Sequence, residues 1–451
     1  PRAVFRIPEG PRRTAPSPPG PIGHRDHPHG GQPGPTPRPQ TIQEAIMSNG
    51  KIRVAVFFGG RSPEHDVSIV TGLQVIQALD AAQYEPVPVY VDRCGVWRTG
   101  EKLLDRATYI PARDADGLPA VSLEIAPGKG GMLVEQASRL FGKPRRIPFD
   151  VAIPAFHGPY GEDGDMQGLF EAAGIPYTGM RVLASAIFMD KAATKQALAG
   201  TGIPMLPCAV LRKPVGGLLP ARADIEAALA GITLPGCLKP AHLGSSIGVA
   251  KVDSIEDIEA VLPGLFRNDT VAIVEPYLDG CVEYNISVRR NGEGHATSAI
   301  ERPKRDSELL DFRQKYLSSG GKTGSKAGGT KSAGDSGSAG MLSLTREINP
   351  DLPESLEGRI RDLAVRTYAA FGGTGAPRMD FMYDATRDEV WLNEVNPIPG
   401  SFAFFLWEAA ETPVRFTRLL SLMIDEARAM ARHTACPEDP TPEAARLFPR
   451  R

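Results

Sequence analysis

Four polar side chains punctuate an otherwise apolar stretch near the C-terminal end of the chain: Arg378, Asp380, Glu394 and Asn396. The surrounding residues read as two strands, 378–383 and 390–395, joined by a polar turn at 384–389. Side chains two apart on a strand share a face. Pairing Asp384 with Val390 sets Asp380 opposite Glu394 and Arg378 opposite Asn396, with facing Cβ atoms about 5 Å apart. Carboxylates that close repel unless positive charge lies between them. Oxygen-only donors favour a hard cation, and Mg²⁺ is commonly held by one or two carboxylates plus substrate phosphates. The chemistry indicated is a magnesium-phosphate site. The competing reading is a surface hairpin in which Asp380 simply pairs with Arg378. Pro397, Pro399 and Gly400 then end the strand in a rigid turn, where substrate loops often sit.

Three other places offer chemistry. A strand at 235–240 ends in Lys239 and runs into Ala241-His-Leu-Gly-Ser-Ser-Ile-Gly248. Backbone N–H groups and hydroxyls of Gly244, Ser245, Ser246 and Gly248 can wrap phosphates, with Lys239 as a point charge. The spacing is not that of a P-loop, and the loop leads to a strand at 249–252, so a plain hairpin turn competes. Glu64 follows Ser62, an expected N-cap, and Pro63 at the start of a helix with Ile69, Leu73 and Ile76 on its apolar face. It stands at the carboxyl end of the apolar strand 51–58, suited to a substrate ammonium; the alternative is a residue that only serves the helix dipole. His157 follows a second apolar strand, 150–156, into the glycine-punctuated loop 157–164, as either a site residue or a solvated one.

Around these places the chain reads as alternating strands and helices. Strand 51–58, its helix and strand 84–92 begin a parallel sheet; residues 93–148 give no clear pattern. A helix ends near Ala173, a short strand covers 175–178, and a helix covers 181–200 with Met189-Asp-Lys191 inside it. After an extended stretch at 203–211 and a Pro/Gly loop at 213–223 come helices at 224–230 and 254–262 and a strand at 271–278. Glu275 and Glu283 bracket a linker, and strand 283–290 turns at Asn291-Gly292. Helices at 356–371 and 412–432 close the chain.

The 451 residues carry a net charge of −2. That length suits two or three domains, and the charge excludes the basic footprint of a nucleic-acid binder. No apolar run approaches the roughly 20 residues that span a membrane. Five cysteines (94, 208, 237, 281, 436) lack any CxxC spacing, which indicates free thiols in a reducing compartment. Cys208, Cys237 and Cys281 are expected as small core residues. Residues 1–46 are Pro-, Gly-, Arg- and His-rich without apolar periodicity, an expected disordered tail; His24, His27 and His29 belong to it rather than to a metal site. The tail lacks the apolar core of a secretory signal, and Met47 is expected to be the genuine start. A Gly/Ser/Lys-rich stretch at 318–340 reads as a mobile lid, and 433–451 as a frayed Pro-rich tail.

In order and spacing, one set of motifs resembles the D-alanine–D-alanine ligases of the ATP-grasp superfamily over about residues 51–430. The set is Gly59-Gly60 with Glu64 and Ser68; His157-Gly158 with Gly161-Glu-Asp-Gly164; Tyr177-Thr-Gly179; Met189-Asp-Lys191; Lys239-Pro240 with Gly244–Gly248; Lys315-Tyr316; and Arg378-Met-Asp380 with Asn393-Glu-Val-Asn396-Pro. The resemblance implies an α/β ATP-grasp fold. An N-terminal parallel-sheet domain (47–180) binds substrate, and central (181–274) and C-terminal (275–432) α+β subdomains clamp ATP. It implies an ATP-dependent ligation of two D-alanines through a D-alanyl phosphate, for peptidoglycan synthesis in the cytoplasm, by a homodimer. Lys191, Lys239 and Lys315 would contact the phosphates beneath the Gly244–Ser245–Ser246 loop. Glu275 and Leu278 would lie beside adenine, and Glu283 at the ribose. Asp380, Glu394 and Asn396 would hold two Mg²⁺ ions, with Mn²⁺ as a substitute. Glu64 would receive the first substrate's ammonium, and His157 would lie near its carboxylate. Arg378 and the Gly400 N–H would face the oxyanion. Ser245 and Tyr316 would link the two loops over the closed site.

Two features depart from the family pattern. Phe405 stands where a hydroxyl residue usually takes the second substrate's carboxylate, although Leu406 beside it fits and Ser401 is an available substitute. The lid is longer and richer in glycine than is typical. The acceptor therefore stays open between D-alanine and another amino acid. An inactive nucleotide-binding relative is the non-enzyme alternative, opposed by the intact lysines and metal ligands.

Overall fold

A computed structural model describes residues 50–109, 114–125, 130–136, 144–244, 247–304, 346–433 and 445. The expected tails, Met47, Ser245, Ser246, Lys315, Tyr316, Cys436 and the lid 318–340 lie outside the described residues, apart from the end of the last helix and residue 445. Contacts divide the chain after Gly50, and every element below belongs to the unit Lys51–Arg451.

The first sheet is seven-stranded. It starts from the apolar strand β1 (Ile52–Gly59), one in from the sheet's edge, followed by α1 (His65–Ala78) and β2 (Tyr84–Val91). Both β2 and β7 (Val151–Pro154) run parallel to β1. The stretch without a clear pattern supplies β3 (Trp97–Thr99), β4 (Ala120–Leu123), β5 (Gly131–Glu135) and β6 (Arg146–Phe149), all added antiparallel beyond β2. The sheet is therefore mixed rather than parallel throughout. These added strands have three to five residues, too few to show a period, so pairing rather than local pattern defines them. The expected strand at 175–178 is reduced to one bridge, Ala152 to Tyr177.

After α2 (Asp165–Ala172), the expected helix 181–200 is two helices, α3 (Val182–Met189) and α4 (Lys191–Leu198). Asp190 breaks them, with φ −97 and ψ 109, and its Oδ1 accepts the N–H groups of Ala192 (2.8 Å) and Ala193 (3.0 Å). An aspartate in extended geometry ends one helix and caps the next, so it competes with helical continuation. Lys191 thus heads a helix instead of lying inside one.

The second sheet, in the order β10-β9-β11-β8, contains β8 (Ala209–Arg212), β9 (Gly236–Pro240), β10 (Ala250–Val252) and β11 (Val271–Pro276). Helices α5 (Arg222–Ala228) and α6 (Ile255–Leu265) flank it. Ile258, Leu262 and Leu265 recur at helical spacing on α6 and pack against Leu238 and Val274. The Ser254–Asp257 capping box starts that helix.

The third sheet, β14-β13-β12-β15-β16, is antiparallel. Its strands are β12 (Val282–Asn291), β13 (Gly294–Pro303), β14 (Arg346–Ile348), β15 (Arg378–Asp384) and β16 (Glu389–Asn396), with α7 (Glu354–Ala370) between β14 and β15. Leu356, Ile360, Leu363 and Tyr368 of α7 pack against Ile286, Phe381 and Leu392. Burying such a side chain is worth about 1.5–3 kcal/mol. A 3-10 turn (Gly400–Ala403) and α8 (Phe404–Glu408) lead to α9 (Phe416–His433). Leu419, Leu420, Met423 and Ile424 of α9 return to pack with Val54, Val56, Val151 and Ile153 of the first sheet. That return fixes the end of β16 beside the carboxyl ends of β1 and β7.

Candidate active site

The hairpin β15–β16 sets Arg378 opposite Asn396 and Asp380 opposite Glu394, as expected. The route to that register differs from expectation. Tyr383, not Asp384, pairs with Val390, and a bulge between Asp380 and Phe381 absorbs the offset. Phe381 faces Leu392, so Asn393 is the extra residue. A bulge re-aims side chains, and here Asn393 Oδ1 accepts a hydrogen bond from Lys239 Nζ at 2.9 Å.

Three acids of the cleft lie against cations of the chain itself. Asp380, 2% exposed, takes Arg378 Nε and Nη2 at 2.7 Å each, and Asn396 Nδ2 at 3.1 Å. The pairing offered as the alternative to a metal site is therefore present. Burial pushes the Asp380 carboxyl up to about 7; Arg378 opposes, and Glu394 and Glu283 add to the rise. Glu394 lies 3.2 Å from Lys191 Nζ, which also donates to the Leu243 carbonyl at 2.8 Å. Glu275 takes Lys239 at 2.5 Å and also Lys195. Burial alone would raise the Glu275 carboxyl, but the two ammonium groups hold it below its ordinary value. Lys239 is raised by Glu275 against the opposing effect of burial. Lys195 was not anticipated. Its position one helical turn after Lys191 was the available signal, since residues four apart share a helix face.

The substrate side is built around α1. Ser62 Oγ accepts the Glu64 N–H at 2.9 Å, and the helix proper starts at His65, so Ser62 serves the preceding turn rather than capping the helix directly. Glu64 is 5% exposed. A Cβ at Gly244 would lie 3.3 Å from both its oxygens, and one at Gly158 would lie 3.0 Å from Oε2. The carboxylate thus abuts both glycine loops, which a residue serving only the helix dipole would not do. Ser68 Oγ accepts from Gly59 N (2.8 Å) and donates to the Ala155 carbonyl (2.7 Å), tying β1 to the end of β7.

His157 is buried, and its Nε2 lies 2.8 Å from Thr71 Oγ1. Burial pushes its imidazole down to about 4 even though the Ile398 carbonyl accepts a hydrogen bond from it. Thr71 Oγ1 also accepts the Ser401 N–H at 3.1 Å, and Ser401 Oγ donates to Gln74. Glu162 accepts the N–H groups of Gly158 (2.6 Å) and Ile398 (3.1 Å). Thr71, Gln74 and Glu162 therefore dock the turn after β16 onto α1 and the loop that follows β7. That turn holds Ser401, Phe402 and Ala403 at φ 52, 55 and 47. Left-handed geometry costs an L-residue roughly 1–2 kcal/mol, and such strain collects at functional sites. Ser401 spends its hydroxyl on Gln74, so the expected substitution for the acceptor's carboxylate is not available in this geometry.

Glu283 lies two residues before Asn285, the β12 partner of Asp380, and so shares the same face. Leu278 follows β11 in the segment to β12. Gly400 opens the strained turn. Leu406 is fully buried, and Phe405 lies beneath the Arg346 guanidinium at 4.4 Å. The described cysteines are free thiols. Cys208, Cys237 and Cys281 are each partly exposed rather than core, and Cys237 pairs in register with Glu275. Cys208 and Cys281 stand just before β8 and β12. Among the described residues no group of three or more His, Cys, Asp or Glu is arranged to hold a metal, and no helix is long and apolar enough to cross a membrane.

The model of the D-ala D-ala ligase N-terminus matches residues 53–180, and that of the D-ala D-ala ligase C-terminus matches 197–334 and 342–425. The chain belongs to the D-alanine–D-alanine ligase family. Among similar family members, a D-alanine–D-alanine ligase A of Bradyrhizobium diazoefficiens is 32% identical over 84% of this chain and 95% of its own length. The ligase of Rhodococcus opacus is 34% identical over 85% and 98%. The solved ligase of Coxiella burnetii superposes with a TM-score of 0.67 at 24% identity, covering 85% of this chain and 95% of that one, and supports the ATP-grasp fold. The VanG D-Ala:D-Ser ligase of Enterococcus faecalis matches at 26% identity and a TM-score of 0.62, covering 84% and 100%.

Proposed function

We propose that this chain is an ATP-dependent ligase that joins two D-alanines, with Glu64, His157, Arg378 and Gly400 at the amino-acid site and Lys191, Lys239, Gly244, Glu275, Leu278 and Glu283 at the nucleotide. The observation that carries this reading is the bulged hairpin. It brings Asn393 against Lys239 and Glu394 against Lys191, sets Asp380 and Asn396 beside them, and ends in a turn docked beside Glu64. The three sheets support a division at 47–180, 181–274 and 275–432. On the same reading Ser245, Ser246, Lys315 and Tyr316 complete the loops, and a cytoplasmic homodimer supplies peptidoglycan synthesis.

The first carboxylate attacks the γ-phosphate of ATP to give an acyl phosphate and release ADP, and the second substrate's amine, deprotonated, then attacks that carbonyl, loses a proton and expels phosphate. Neither step needs a protein nucleophile; both need alignment and charge neutralisation. Glu64 holds the first ammonium. Binding of ATP draws Lys191 and Lys239 from carboxylates to phosphates. Arg378, freed from Asp380, and the Gly400 N–H donate to the developing oxyanion. The donors Asp380, Glu394 and Asn396 fit Mg²⁺: all are hard oxygens, and the Asp380 carboxyl is raised partly by carboxylate repulsion that a dication removes. Bound there, magnesium supplies neutralisation of phosphate charge.

One observation favours a second acceptor. Phe405 under Arg346 and the Ser401 hydroxyl on Gln74 leave the usual acceptor hydroxyl unreplaced. VanG carries D-Ala:D-Ser in its name within the same fold. Phosphate release with D-alanine, alone and against a panel of D- and L-amino acids, is the deciding assay. Release with D-alanine alone supports the dipeptide reading. Release only when a second amino acid is added moves the acceptor, and silence across the panel overturns ligation.

A further inference from the structure

His242 follows β9 by two residues and opens the loop to Gly248, and the reaction above assigns it nothing. Its ring is held between two carboxylates from different elements. Nδ1 lies 2.7 Å from Asp269 Oδ1, and Nε2 lies 3.3 Å from Asp190 Oδ2. An ionised carboxylate only accepts hydrogen bonds, so both ring nitrogens must donate, and this geometry holds the imidazolium.

Both anchors are fixed. Asp269 Oδ1 also accepts the N–H groups of Thr270 (2.6 Å) and Val271 (3.1 Å), and Oδ2 accepts the N–H of His242 itself (2.9 Å). Asp190 caps α4 with its other oxygen. The ring therefore joins the start of β11 to the start of α4. Its neighbours do the same for Lys191: the Lys191 N–H donates to the Ala241 carbonyl at 3.1 Å, and its Nζ to the Leu243 carbonyl at 2.8 Å.

We propose that His242 is a positioning residue that clasps the mouth of the 241–248 loop to the head of the Lys191 helix, so that the nucleotide's phosphates meet a prebuilt pair of cations. The inference rests on the reading of Lys191 and Lys239 as phosphate contacts. Such a clasp acts first on nucleotide affinity, because it fixes Lys191, whereas the loop meets the amino-acid site only where Gly244 abuts Glu64. Asp190 and Asp269 are the charged groups facing the ring. Hydrogen bonds to Asp190 and then Asp269 push the imidazole up to about 9, and despite burial both carboxyls sit below their ordinary value. The clasp is thus complete at neutral pH and loosens as pH rises through 9.

The test uses the full chain and calorimetric titration with ATP and with ADP, beside steady-state kinetics. His242→Gln, which cannot present two cationic donors, should weaken nucleotide binding tenfold or more and raise KM for ATP alike. KM for amino acid and kcat should stay within threefold. His242→Arg, which donates to two carboxylates at every pH, should restore affinity and hold it at pH 9.5. The unmodified chain should lose affinity between pH 7.5 and 9.5. Unchanged nucleotide affinity in folded His242→Gln overturns the proposal. So does a fall in amino-acid KM performance and melting temperature in step with nucleotide affinity, without rescue by arginine. If His242→Gln fails to fold, the arginine variant and the pH series decide, and a flat pH series overturns it. A chain that binds ATP but ligates no D-alanine fails the ligase reading while leaving this test intact.

Discussion

Arg378→Ala separates stability from chemistry at one residue. In the ligand-free site Arg378 gives Asp380 two hydrogen bonds of 2.7 Å in a place where Asp380 is 2% exposed. Removing one partner of a buried ion pair ordinarily costs about 3–5 kcal/mol. Asp380 has an escape: its carboxyl already titrates at about 7, so near neutrality a proton replaces the lost guanidinium at little cost. What remains is the loss of two hydrogen bonds, about 2–3 kcal/mol. The carboxyl of the variant titrates still higher. The proton must therefore be held at increasing cost as pH rises above 7, by up to about 1.4 kcal/mol per pH unit. The destabilisation should be smallest and flat below pH 7 and grow toward pH 8.5, read by thermal melts at several pH values. Chemistry should suffer more. Loss of one oxyanion donor costs about 2.7–4 kcal/mol in barrier, or roughly 100- to 1,000-fold in kcat. Phosphate release followed across magnesium concentrations should show that fall in kcat without a higher magnesium requirement, because Arg378 competes with the metal for Asp380. A kcat within tenfold of the unmodified chain, or destabilisation independent of pH, would refute the reasoning.

Asp380→Ala and Glu394→Ala should each abolish ATP-dependent phosphate release while the far-ultraviolet circular dichroism stays native; retained full activity rules out the metal assignment. Gly375→Ala places a Cβ 2.5 Å from the Gly179 Cα at φ +69, so it should destabilise by about 2–5 kcal/mol in thermal unfolding. An unaltered melt would show that the two glycine turns are not in contact. His157, held at about 4 by burial, resists protonation in the folded state. Its share of stability is present above pH 6.5 and is lost as pH falls toward 4, on the order of 3 kcal/mol. His157→Gln should show a shallower loss of melting temperature over that window, and equal slopes would contradict the burial argument.

Local periodicity settled a good deal. The alternation of Arg378 with Asp380 and of Glu394 with Asn396 determined a shared polar face before any pairing was seen, because a strand's side chains repeat every second residue. The apolar run of β1 marked a buried strand, and Lys239 ahead of a glycine–serine loop marked a phosphate candidate. Other features lay beyond local pattern. The antiparallel strands β3 to β6 are too short to carry a period. Asp190 looked like an interior helix residue until its side chain was seen capping α4. The one-residue bulge that frees Asn393 for Lys239 joins positions 154 apart in sequence. Lys195 on Glu275, the docking of Ser401 on Thr71 and Gln74, and His242 between Asp190 and Asp269 likewise depend on how separate elements pack. Sequence spacing reports only which side chains share a face of one element; which faces confront each other, and with what charge, is decided when those elements pack.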